Sequence, residues 1–401
     1  MKILLADSLP QAAVARLIAA GDEVVSRPEL SDEDLPDAIA GFQALVVRST
    51  RITGATIAAA DKLGIIVRAG AGTNTIDCDA AADVGILVCN VPGRNALAVA
   101  ELTLGLLISV DRHIADATAD LRNGVWNKKA YSKGGGLFGH TMAVIGLGEI
   151  GLAVAERATA FGLNVVAVEK PGRSAEALAR ADSAGITFVD DTATLLAQSD
   201  IVSLHVPGSP DTKGLVDAEF LALMKDKAIL LNTSRGDVVD EAALIEAMDT
   251  RGLRAGLDVF AKEPGRGTGE FRSELARHPN VSATHHIGAS TQQAQDAVAS
   301  GTVDAINAYR RGHPIDCVNI EPVPARAATL SIRHRDRVGV LAAILAILRT
   351  AKLNVSTMRN QVFAGSKAAV ATIDVGHLPS DDVVAEIEAL ADVINVAVTL
   401  P

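Results

Sequence analysis

Three polar side chains of complementary chemistry follow predicted strands in the second half of the chain: Arg235, Glu263 and His286. An arginine fork binds a carboxylate through two parallel hydrogen bonds, and a histidine exchanges a proton near neutral pH. A carboxylate beside that histidine orients its ring and stabilises the protonated form. Together these groups suit the oxidation of a hydroxy acid, in which one residue takes the hydroxyl proton while a bound cofactor takes the hydride.

Chemistry alone leaves the histidine open, because His285 directly precedes His286. In an extended segment neighbouring side chains point to opposite sides, so only one of the two faces a site shared with Arg235 and Glu263. Each of these residues, taken singly, is also typical of a solvated or capping position. Their common position after strands favours a shared site, because ligands bind at the carboxyl ends of parallel strands.

A glycine-rich turn indicates where the cofactor binds. It lies inside a predicted strand–turn–helix–strand unit at residues 142–145, 146–151, 150–161 and 164–168. Gly146 makes the turn, Gly148 lets the backbone approach a pyrophosphate, and Gly151 lets helix and strand pack closely. The helix N-terminus attracts the phosphates. Glu169 favours the free ribose hydroxyls of NAD, while Lys170 and Arg173 leave NADP open.

The predicted elements alternate between strand and helix over most of the chain. Such alternation predicts an α/β fold with parallel sheets covered on both faces. The glycine turn begins a third of the way along, so we expect a doubly wound Rossmann domain inserted into a second, flavodoxin-like substrate domain. The expected ranges are 1–97 and 287–320 for the substrate domain, 98–286 for the nucleotide domain, 321–327 for a proline-containing linker, and 328–401 for a small ferredoxin-like βαββαβ domain.

Composition excludes several classes of protein. The net charge of −11 argues against a nucleic-acid partner, which needs clustered basic residues. No uncharged apolar run approaches the roughly 18 residues of a membrane span. The three cysteines form no CxxC pair, which predicts reduced thiols in a cytoplasmic protein and no metal site. Apolar residues make up 49% of the chain and aromatic residues only 3%, so aliphatic side chains must fill the cores.

From Arg48 to Thr291 the chain resembles the D-isomer-specific 2-hydroxyacid dehydrogenases. The resemblance rests on many motifs in the same order: Val47-Arg-Ser-Thr-Arg-Ile-Thr53, Gly70-Ala-Gly-Thr-Asn74, Val99-Ala-Glu-Leu102, Val125-Trp-Asn-Lys128, Gly146 to Gly151, Leu204-His-Val-Pro207, Asn232 to Asp240, Gly256-Leu-Asp-Val-Phe260 with Glu263-Pro264, and His286-Ile-Gly-Ala-Ser-Thr291.

The resemblance implies that Arg235, Glu263 and His286 are the catalytic set. It selects His286 over His285, since the family usually has proline before its histidine. The implied cofactor is NAD, with contacts at Gly146, Gly148, Glu149, Ile150, Gly151, Glu169, His205, Pro207, Thr233, Ser234, Asp258 and Gly288. The implied substrate contacts are Arg48, Ser49, Gly70, Ala71, Gly72, Asn95, Lys128 and Arg235.

One residue of the glycine turn departs from the family pattern, which often has Arg or His where Glu149 stands. A carboxylate facing the pyrophosphate would repel it, whereas an outward carboxylate favours the helix N-terminus. We expect the outward orientation, with a cofactor affinity below that suggested by the motif.

The extra cations at Arg48 and Lys128 suit a phosphorylated hydroxy acid, and the resemblance is to family members acting on 3-phosphoglycerate. Two alternatives stay open: a reductase of hydroxypyruvate or glyoxylate, and a non-catalytic NAD-sensing scaffold.

The C-terminal region resembles the ACT domain, a small-molecule sensor. His334-Arg-Asp-Arg-Val-Gly-Val-Leu341 and Leu353-Asn-Val355 carry this likeness. It implies that L-serine binds as an effector across a pair of such domains, near His334, Asp336, Gly339 and Asn354. The alternative is a dimerisation module without a ligand. Either reading predicts a homo-oligomer, a dimer or a tetramer.

Overall fold

The computed structural model describes residues 1–264, 268–320 and 326–401. Most of the predicted linker at 321–327 therefore lies outside the described residues. The chain divides into two compact units, Met1–Asn319 and Ile320–Pro401.

The first sheet of the larger unit has five parallel strands in the order β2-β1-β3-β4-β5, which is the flavodoxin-like order. The strands are β1 Lys2–Leu5, β2 Glu23–Ser26, β3 Ala44–Val47, β4 Ile65–Arg68 and β5 Leu87–Cys89. The helices between and after them are α1 Gln11–Ala19, α2 Leu35–Ala38, α3 Gly54–Ala59, α4 Cys78–Asp83, α5 Ala96–Arg112 and α6 Ile114–Arg122.

The second sheet has seven parallel strands in the order β12-β11-β10-β9-β6-β7-β8. Its strands are β6 Thr141–Ile145, β7 Asn164–Val168, β8 Thr187–Val189, β9 Ile201–Leu204, β10 Ile229–Asn232, β11 Arg254–Leu257 and β12 Val281–Ala283. The helices are α7 Glu149–Ala160, α8 Ala175–Ser183, α9 Thr192–Gln198, α10 Ala218–Leu223, α11 Glu241–Arg251, α12 Glu274–Arg277 and α13 Gln292–Arg310. The order reverses between β6 and β9, the switch point at which dinucleotides bind in Rossmann sheets.

Helix packing ties distant parts of the chain to each sheet. Ile306 of α13 and Leu5 of β1 are fully buried in one apolar cluster, so the last helix of the unit covers its first sheet. Leu107 of α5 lies instead in a cluster with Val144 of β6. Burial of each such side chain contributes roughly 1.5–3 kcal/mol. Each sheet is therefore covered by helices from distant parts of the chain.

The smaller unit is a βαββαβ fold with an antiparallel sheet in the order β14-β15-β13-β16. Its elements are β13 Ala328–Arg335, α14 Val340–Thr350, β14 Val355–Val362, β15 Ala368–Val375, α15 Asp381–Glu388 and β16 Val393–Thr399. Buried residues alternate along β13 and β15, because one face of the sheet packs on the helices. The predicted ferredoxin-like architecture is thus present.

The sequence pattern missed two strands, β2 and β8. Both lie at sheet edges, and their residues are mostly part-exposed or exposed. An edge strand lacks the continuous apolar run that marks a buried parallel strand, which is why the pattern is weak there. Within the described part of the chain, no helix combines the length and apolarity needed to cross a bilayer.

Candidate active site

A cleft of about 1770 Å³ opens between the two sheets of the larger unit. Sixteen of the predicted site residues line it: Arg48, Ser49, Gly70, Ala71, Gly72, Asn95, Ile150, His205, Pro207, Thr233, Ser234, Arg235, Asp258, Glu263, His286 and Gly288. Its size exceeds the roughly 300–1,000 Å³ of a pocket for one small ligand, which suits a dinucleotide together with a substrate.

Glu263 and His286 form the closest polar pair in the cleft. Glu263 Oε2 lies 2.7 Å from His286 Nδ1, and Glu263 Oε1 accepts the Phe260 N–H at 2.8 Å. Partial burial opposes ionisation of Glu263, but the hydrogen bonds from His286 and Phe260 and the charges of His286 and Arg235 hold the pKa of this carboxyl below its usual value. An ionised Glu263 requires His286 Nδ1 to carry a proton, which leaves Nε2 for a ligand.

The backbone of His286 adopts a left-handed conformation, with φ of 54°, which is uncommon for a residue other than glycine. Asp258 holds it there. The Asp258 carbonyl accepts the His286 N–H at 2.7 Å, and its carboxylate accepts bonds from Thr284 Oγ1 at 2.6 Å, Ile287 N at 2.9 Å and Gly288 N at 2.8 Å. Asp258 is 1% exposed. This residue, which the sequence predicts to contact the cofactor, thus also holds the loop that carries His286.

Arg235 follows β10 in a turn organised by Asn232. The Asn232 side chain donates to the Arg235 carbonyl at 2.8 Å and accepts from Ser234 N and Ser234 Oγ at 3.0 and 2.7 Å. Asn232 is 1% exposed, so its amide satisfies backbone groups that the end of the strand would otherwise leave unpaired. The guanidinium of Arg235 approaches Gly72 so closely that a Cβ there would collide with it.

Arg48 and Arg68, at the ends of neighbouring strands β3 and β4, also line the cleft. Burial, together with the positive charges of Arg235 and Arg48, lowers the pKa of Arg68 to about 10. Among the described residues none of these three arginines forms an ion pair with a carboxylate, and Arg68 Nε is buried without a hydrogen-bond partner. This concentration of positive charge suits a multiply charged anion.

Sequence reasoning missed Arg68 and also Asp7, which shapes the loop after β3. Asp7 Oδ2 accepts the N–H groups of Arg48, Ser49 and Thr50 at 2.7, 3.0 and 2.9 Å. The available signal was position: Asp7 follows β1 and Arg68 ends β4, so both stand at carboxyl ends of strands where ligand sites form.

The glycine turn follows β6 and lies at the switch point of the second sheet. Gly146 has φ of 97°, and a Cβ there would collide with the backbone of His205, at the end of β9. A Cβ at Gly148 would meet open space, so this backbone is accessible to a bound group. Gly148 is the N-cap of α7 without a side-chain cap, which leaves N–H groups of the first turn for an anion. The turn therefore fits a dinucleotide.

Glu149, in the first turn of α7, pairs with an arginine of the following helix. Its Oε1 lies 2.8 Å from Arg180 Nη1 on α8, and 57% of its side chain is exposed. The Arg180 charge offsets that of Glu149 near the expected pyrophosphate. Glu169 follows β7 next to the glycine strand and is exposed outside the cleft lining, as is Glu149.

His205 is a neutral polar group in the cleft wall. Burial of the ring lowers its pKa to about 3. Its Nε2 lies 2.8 Å from Ser203 Oγ, while no partner for Nδ1 exists in the described part of the chain. Asn95 Oδ1 is likewise buried without a partner there. Both atoms can pair with a ligand that enters the cleft.

Lys128 lies outside the cleft lining. It belongs to an exposed segment, 121–130, and its carbonyl accepts a hydrogen bond from Ser132 at 2.6 Å. Within one copy of the chain the positive charge for an anion comes from the three arginines instead.

In the smaller unit the predicted effector residues do not form one cluster. His334 is 1% exposed, and its ring nitrogens pair with the Arg335 carbonyl at 2.8 Å and Asn360 Oδ1 at 3.0 Å. Asp336 and Gly339 follow the far end of β13, whereas Asn354 precedes β14 at the opposite end of the sheet. The length of β13 separates these ends by about 24 Å. A site that uses Asp336 and Asn354 together needs two copies of the unit.

Known proteins of one family are similar to this chain in sequence and in fold. Residues 104–288 match the model described as D-isomer specific 2-hydroxyacid dehydrogenase, NAD binding domain. A hydroxypyruvate reductase of Thermotoga maritima is 42% identical over 302 residues, covering 75% of this chain and 95% of that protein. A crystal structure of a glyoxylate reductase from Paecilomyes thermophila superposes with a TM-score of 0.71 at 27% identity, covering 79% of this chain and 98% of that one.

A D-3-phosphoglycerate dehydrogenase of Methanocaldococcus jannaschii is 40% identical over 327 residues, covering 81% of this chain and 60% of that protein. One of Mycobacterium leprae is 41% identical over 330 residues, covering 80% of this chain and 59% of its own. The chain thus spans about 60% of the length of these curated relatives.

Proposed function

Because the chain belongs to the D-isomer specific 2-hydroxyacid dehydrogenase family, we propose that it oxidises the C2 hydroxyl of D-3-phosphoglycerate to 3-phosphohydroxypyruvate with NAD, a reaction that opens L-serine synthesis. The observation that carries the choice of substrate is the group of three guanidiniums at Arg48, Arg68 and Arg235, none of which has a carboxylate partner among the described residues. A 2-hydroxy acid with a neutral tail needs one arginine for its carboxylate. A phosphorylated 2-hydroxy acid also carries a doubly charged phosphate group, for which the other two arginines are available.

The substrate carboxylate would rest on the Arg235 fork and the backbone of the 70–72 loop. Arg235 lies against Gly72 across the cleft and therefore joins a residue after β10 to the loop after β4. The phosphate would then lie at Arg48 and Arg68. Arg68 is already buried beside other positive charges, and an anion would relieve that repulsion.

His286 would take the hydroxyl proton on Nε2. Its Nδ1 is engaged by Glu263 at 2.7 Å, so the ring orientation and the tautomer are set before substrate binds. The Glu263 carboxylate would stabilise the imidazolium formed in this step. NAD, when bound, supplies the acceptor for the C2 hydride.

The cofactor would bind along the edge defined by Gly146, Gly148 and the N-terminus of α7, with Glu169 at its ribose. The open backbone at Gly148 and the uncapped first turn of α7 support this placement. Asn95 Oδ1 and His205 Nδ1, both buried and unpaired in the described chain, are the polar atoms that ligands in the cleft would satisfy.

The nearest alternative is a reductase of hydroxypyruvate or glyoxylate, which the Thermotoga maritima relative supports. One experiment distinguishes the two functions. It compares the kcat/KM of the purified chain for D-3-phosphoglycerate with that for D-glycerate, each with NAD. We expect the phosphorylated acid to be preferred by at least about 100-fold, the worth of two charge-assisted hydrogen bonds. Equal values would favour the reductase. Tight NADH binding without turnover of any hydroxy acid would favour the non-catalytic NAD-sensing scaffold.

The smaller unit would act as an ACT-type sensor of L-serine in a homo-oligomer, a dimer or a tetramer. Its βαββαβ fold supports this reading, and the separation of Asp336 from Asn354 means that an effector touching both requires two copies. Inhibition by L-serine in the same assay, lost in Asp336→Ala and in Asn354→Ala, tests the idea. Uninhibited turnover in an intact oligomer would leave the unit as a dimerisation module. We place the protein in the cytoplasm, where its three free thiols stay reduced under ordinary conditions.

A further inference from the structure

Two of the three cysteines face each other across a short antiparallel bridge at the carboxyl end of β5, the edge strand of the first sheet. Cys89 ends β5, and Cys317 pairs with it although the two lie far apart in sequence. The backbone bonds of this bridge run from Asn90 N to the Asp316 carbonyl at 3.0 Å and from Val318 N to the Val88 carbonyl at 2.8 Å. Cys89 and Cys317 are therefore the non-hydrogen-bonded pair of the bridge.

That position is the one that suits a cross-strand disulfide. Directly opposed residues in a non-hydrogen-bonded pair have Cα atoms about 4.5 Å apart, inside the roughly 4.4–6.8 Å that a disulfide spans. The Cys317 thiol is also near enough to raise the pKa of the Cys89 thiol, and its only hydrogen bond in the described chain is a long one, 3.7 Å, to the Ile315 carbonyl. From this geometry we propose that Cys89 and Cys317 form a reversible intramolecular disulfide that fastens the end of the larger unit to its first sheet.

The surrounding structure already holds both cysteines in place. Besides the bridge, the Asn319 side chain binds the segment that carries Cys317 to β5 and to the residue before it. Its Oδ1 accepts the Val88 N–H at 2.8 Å, and its Nδ2 donates to the Ile86 carbonyl at 2.8 Å. Oxidation therefore needs no rearrangement of the backbone. Cys317 stands two residues before the end of the unit at Asn319, where the chain leaves for the smaller unit.

The two thiols differ in solvent accessibility, and this difference determines which of them reacts first with an external oxidant. Cys89 is fully buried, and burial, together with the neighbouring Cys317 thiol and the charge of Asp316, raises the pKa of its thiol. Cys317 is partly exposed and meets an external oxidant first. With glutathione disulfide, the Cys317 sulfur attacks one glutathione sulfur and displaces a glutathione thiol. The Cys89 sulfur then attacks Cys317 Sγ and displaces the second, so two protein thiols are oxidised and one glutathione disulfide is reduced.

The test is to incubate the folded full-length chain with glutathione disulfide in excess, quench it with acid, and count thiols after unfolding. We expect two of the three thiols to disappear, leaving Cys78, with a mass lower by about 2 Da and full recovery in dithiothreitol. Cys78→Ser should still form the disulfide, and Cys317→Ser should keep Cys89 reduced. A wild-type chain that retains a free Cys89 thiol, or that carries only glutathione on Cys317, would overturn the proposal.

Thermal unfolding supplies a second readout that needs no variant at the buried position. The disulfide closes a loop of more than 200 residues, and such cross-links typically raise Tm of a unit this size by about 3–6 °C. We expect that rise on oxidation of the wild-type chain and no rise in Cys317→Ser. A lower Tm after oxidation would mean that the bond distorts β5 and would contradict the proposal.

Discussion

Glu263 Oε2 lies 2.7 Å from His286 Nδ1, and the two residues come from separate segments that follow β11 and β12. The contact occupies one ring nitrogen and leaves the other for a substrate hydroxyl. It also leaves His285, the neighbour in sequence, without a place in this pair. The relationship supports a division of labour in which Glu263 positions and polarises while His286 moves the proton.

Replacing His286 by asparagine should lower kcat by about 10²–10⁴-fold, because the proton acceptor is removed while the cleft keeps its shape. Steady-state rates of NADH formation measure the effect. His285→Asn is the matched control and should cost far less, since His285 lines the cleft but takes no part in the pair with Glu263. A larger loss in the control than in His286→Asn would reverse the assignment.

Glu263→Gln should lower kcat by about 10–100-fold, the worth of one charge-assisted hydrogen bond, because the His286 ring loses the carboxylate that orients it. In the wild type the pKa of Glu263 lies below its ordinary value. As pH rises, the carboxylate therefore ionises at a lower pH in the folded state than in the unfolded chain. Its stabilising contribution is therefore complete above the ordinary glutamate pKa of about 4.3 and is lost as pH falls through the depressed folded value. Urea unfolding between about pH 3 and pH 6 should show this loss in the wild type but not in the variant. An unchanged kcat in Glu263→Gln would count against the polarising role.

Arg68→Lys should reduce kcat/KM for D-3-phosphoglycerate by about 10–100-fold, the worth of one charge-assisted hydrogen bond, because an ammonium cannot reproduce the fork of a guanidinium. The value for D-glycerate should change little, which separates phosphate binding from a general defect. Arg51→Lys provides the control, as Arg51 is exposed and absent from the cleft lining. Equal losses on both substrates would assign Arg68 to the fold of the cleft instead.

Asp7→Ala should raise KM for D-3-phosphoglycerate several-fold with a smaller change in kcat. Three N–H groups lose the oxygen that accepts them, and the loop that carries Arg48 loses its shape. All three bonds end on Oδ2, so Asp7→Asn, which keeps an oxygen there, should be much milder. Equal KM values in wild type and Asp7→Ala would show that the loop is held by other contacts.

Glu149→Gln should lower KM for NAD about two- to threefold, because a negative charge is removed from the start of α7, near the expected pyrophosphate. Stability should change by less than about 1 kcal/mol, since the Glu149 side chain is 57% exposed in its pair with Arg180. Glu156→Gln is the control: Glu156 also lies near Arg180, at 4.0 Å, but further along the helix. An increase in KM for NAD in Glu149→Gln would mean that Glu149 assists binding.

Much of the architecture followed from patterns that local physics imposes. Buried parallel strands need unbroken apolar runs, and a dinucleotide turn needs glycines at set spacings, so the sheets and the turn at Gly146 were predictable. The predicted α/β fold with two doubly wound sheets and a βαββαβ unit is confirmed. The edge strands β2 and β8 were missed because exposure at an edge removes the apolar signal.

The candidate site was only partly predictable, for a reason seen in Arg68 and Asp7. Each residue follows or ends a strand, but many polar residues do so, and spacing along the chain does not say which strand ends meet. The order β2-β1-β3-β4-β5 brings the ends of β1, β3 and β4 together, so that Asp7 shapes the loop of Arg48 and Arg68 lies beside it.

By itself, the sequence determined the kinds of chemistry present: an arginine fork, a histidine with a carboxylate, and a glycine turn for a dinucleotide. Those properties depend on residue type and short spacing, which sequence records directly. Tertiary structure decided which of these groups act together. It set His286 rather than His285 beside Glu263, on a left-handed backbone held by Asp258, gathered three arginines into one cleft, and set Cys89 against Cys317. Contacts between distant segments depend on strand order and packing, which no local pattern encodes.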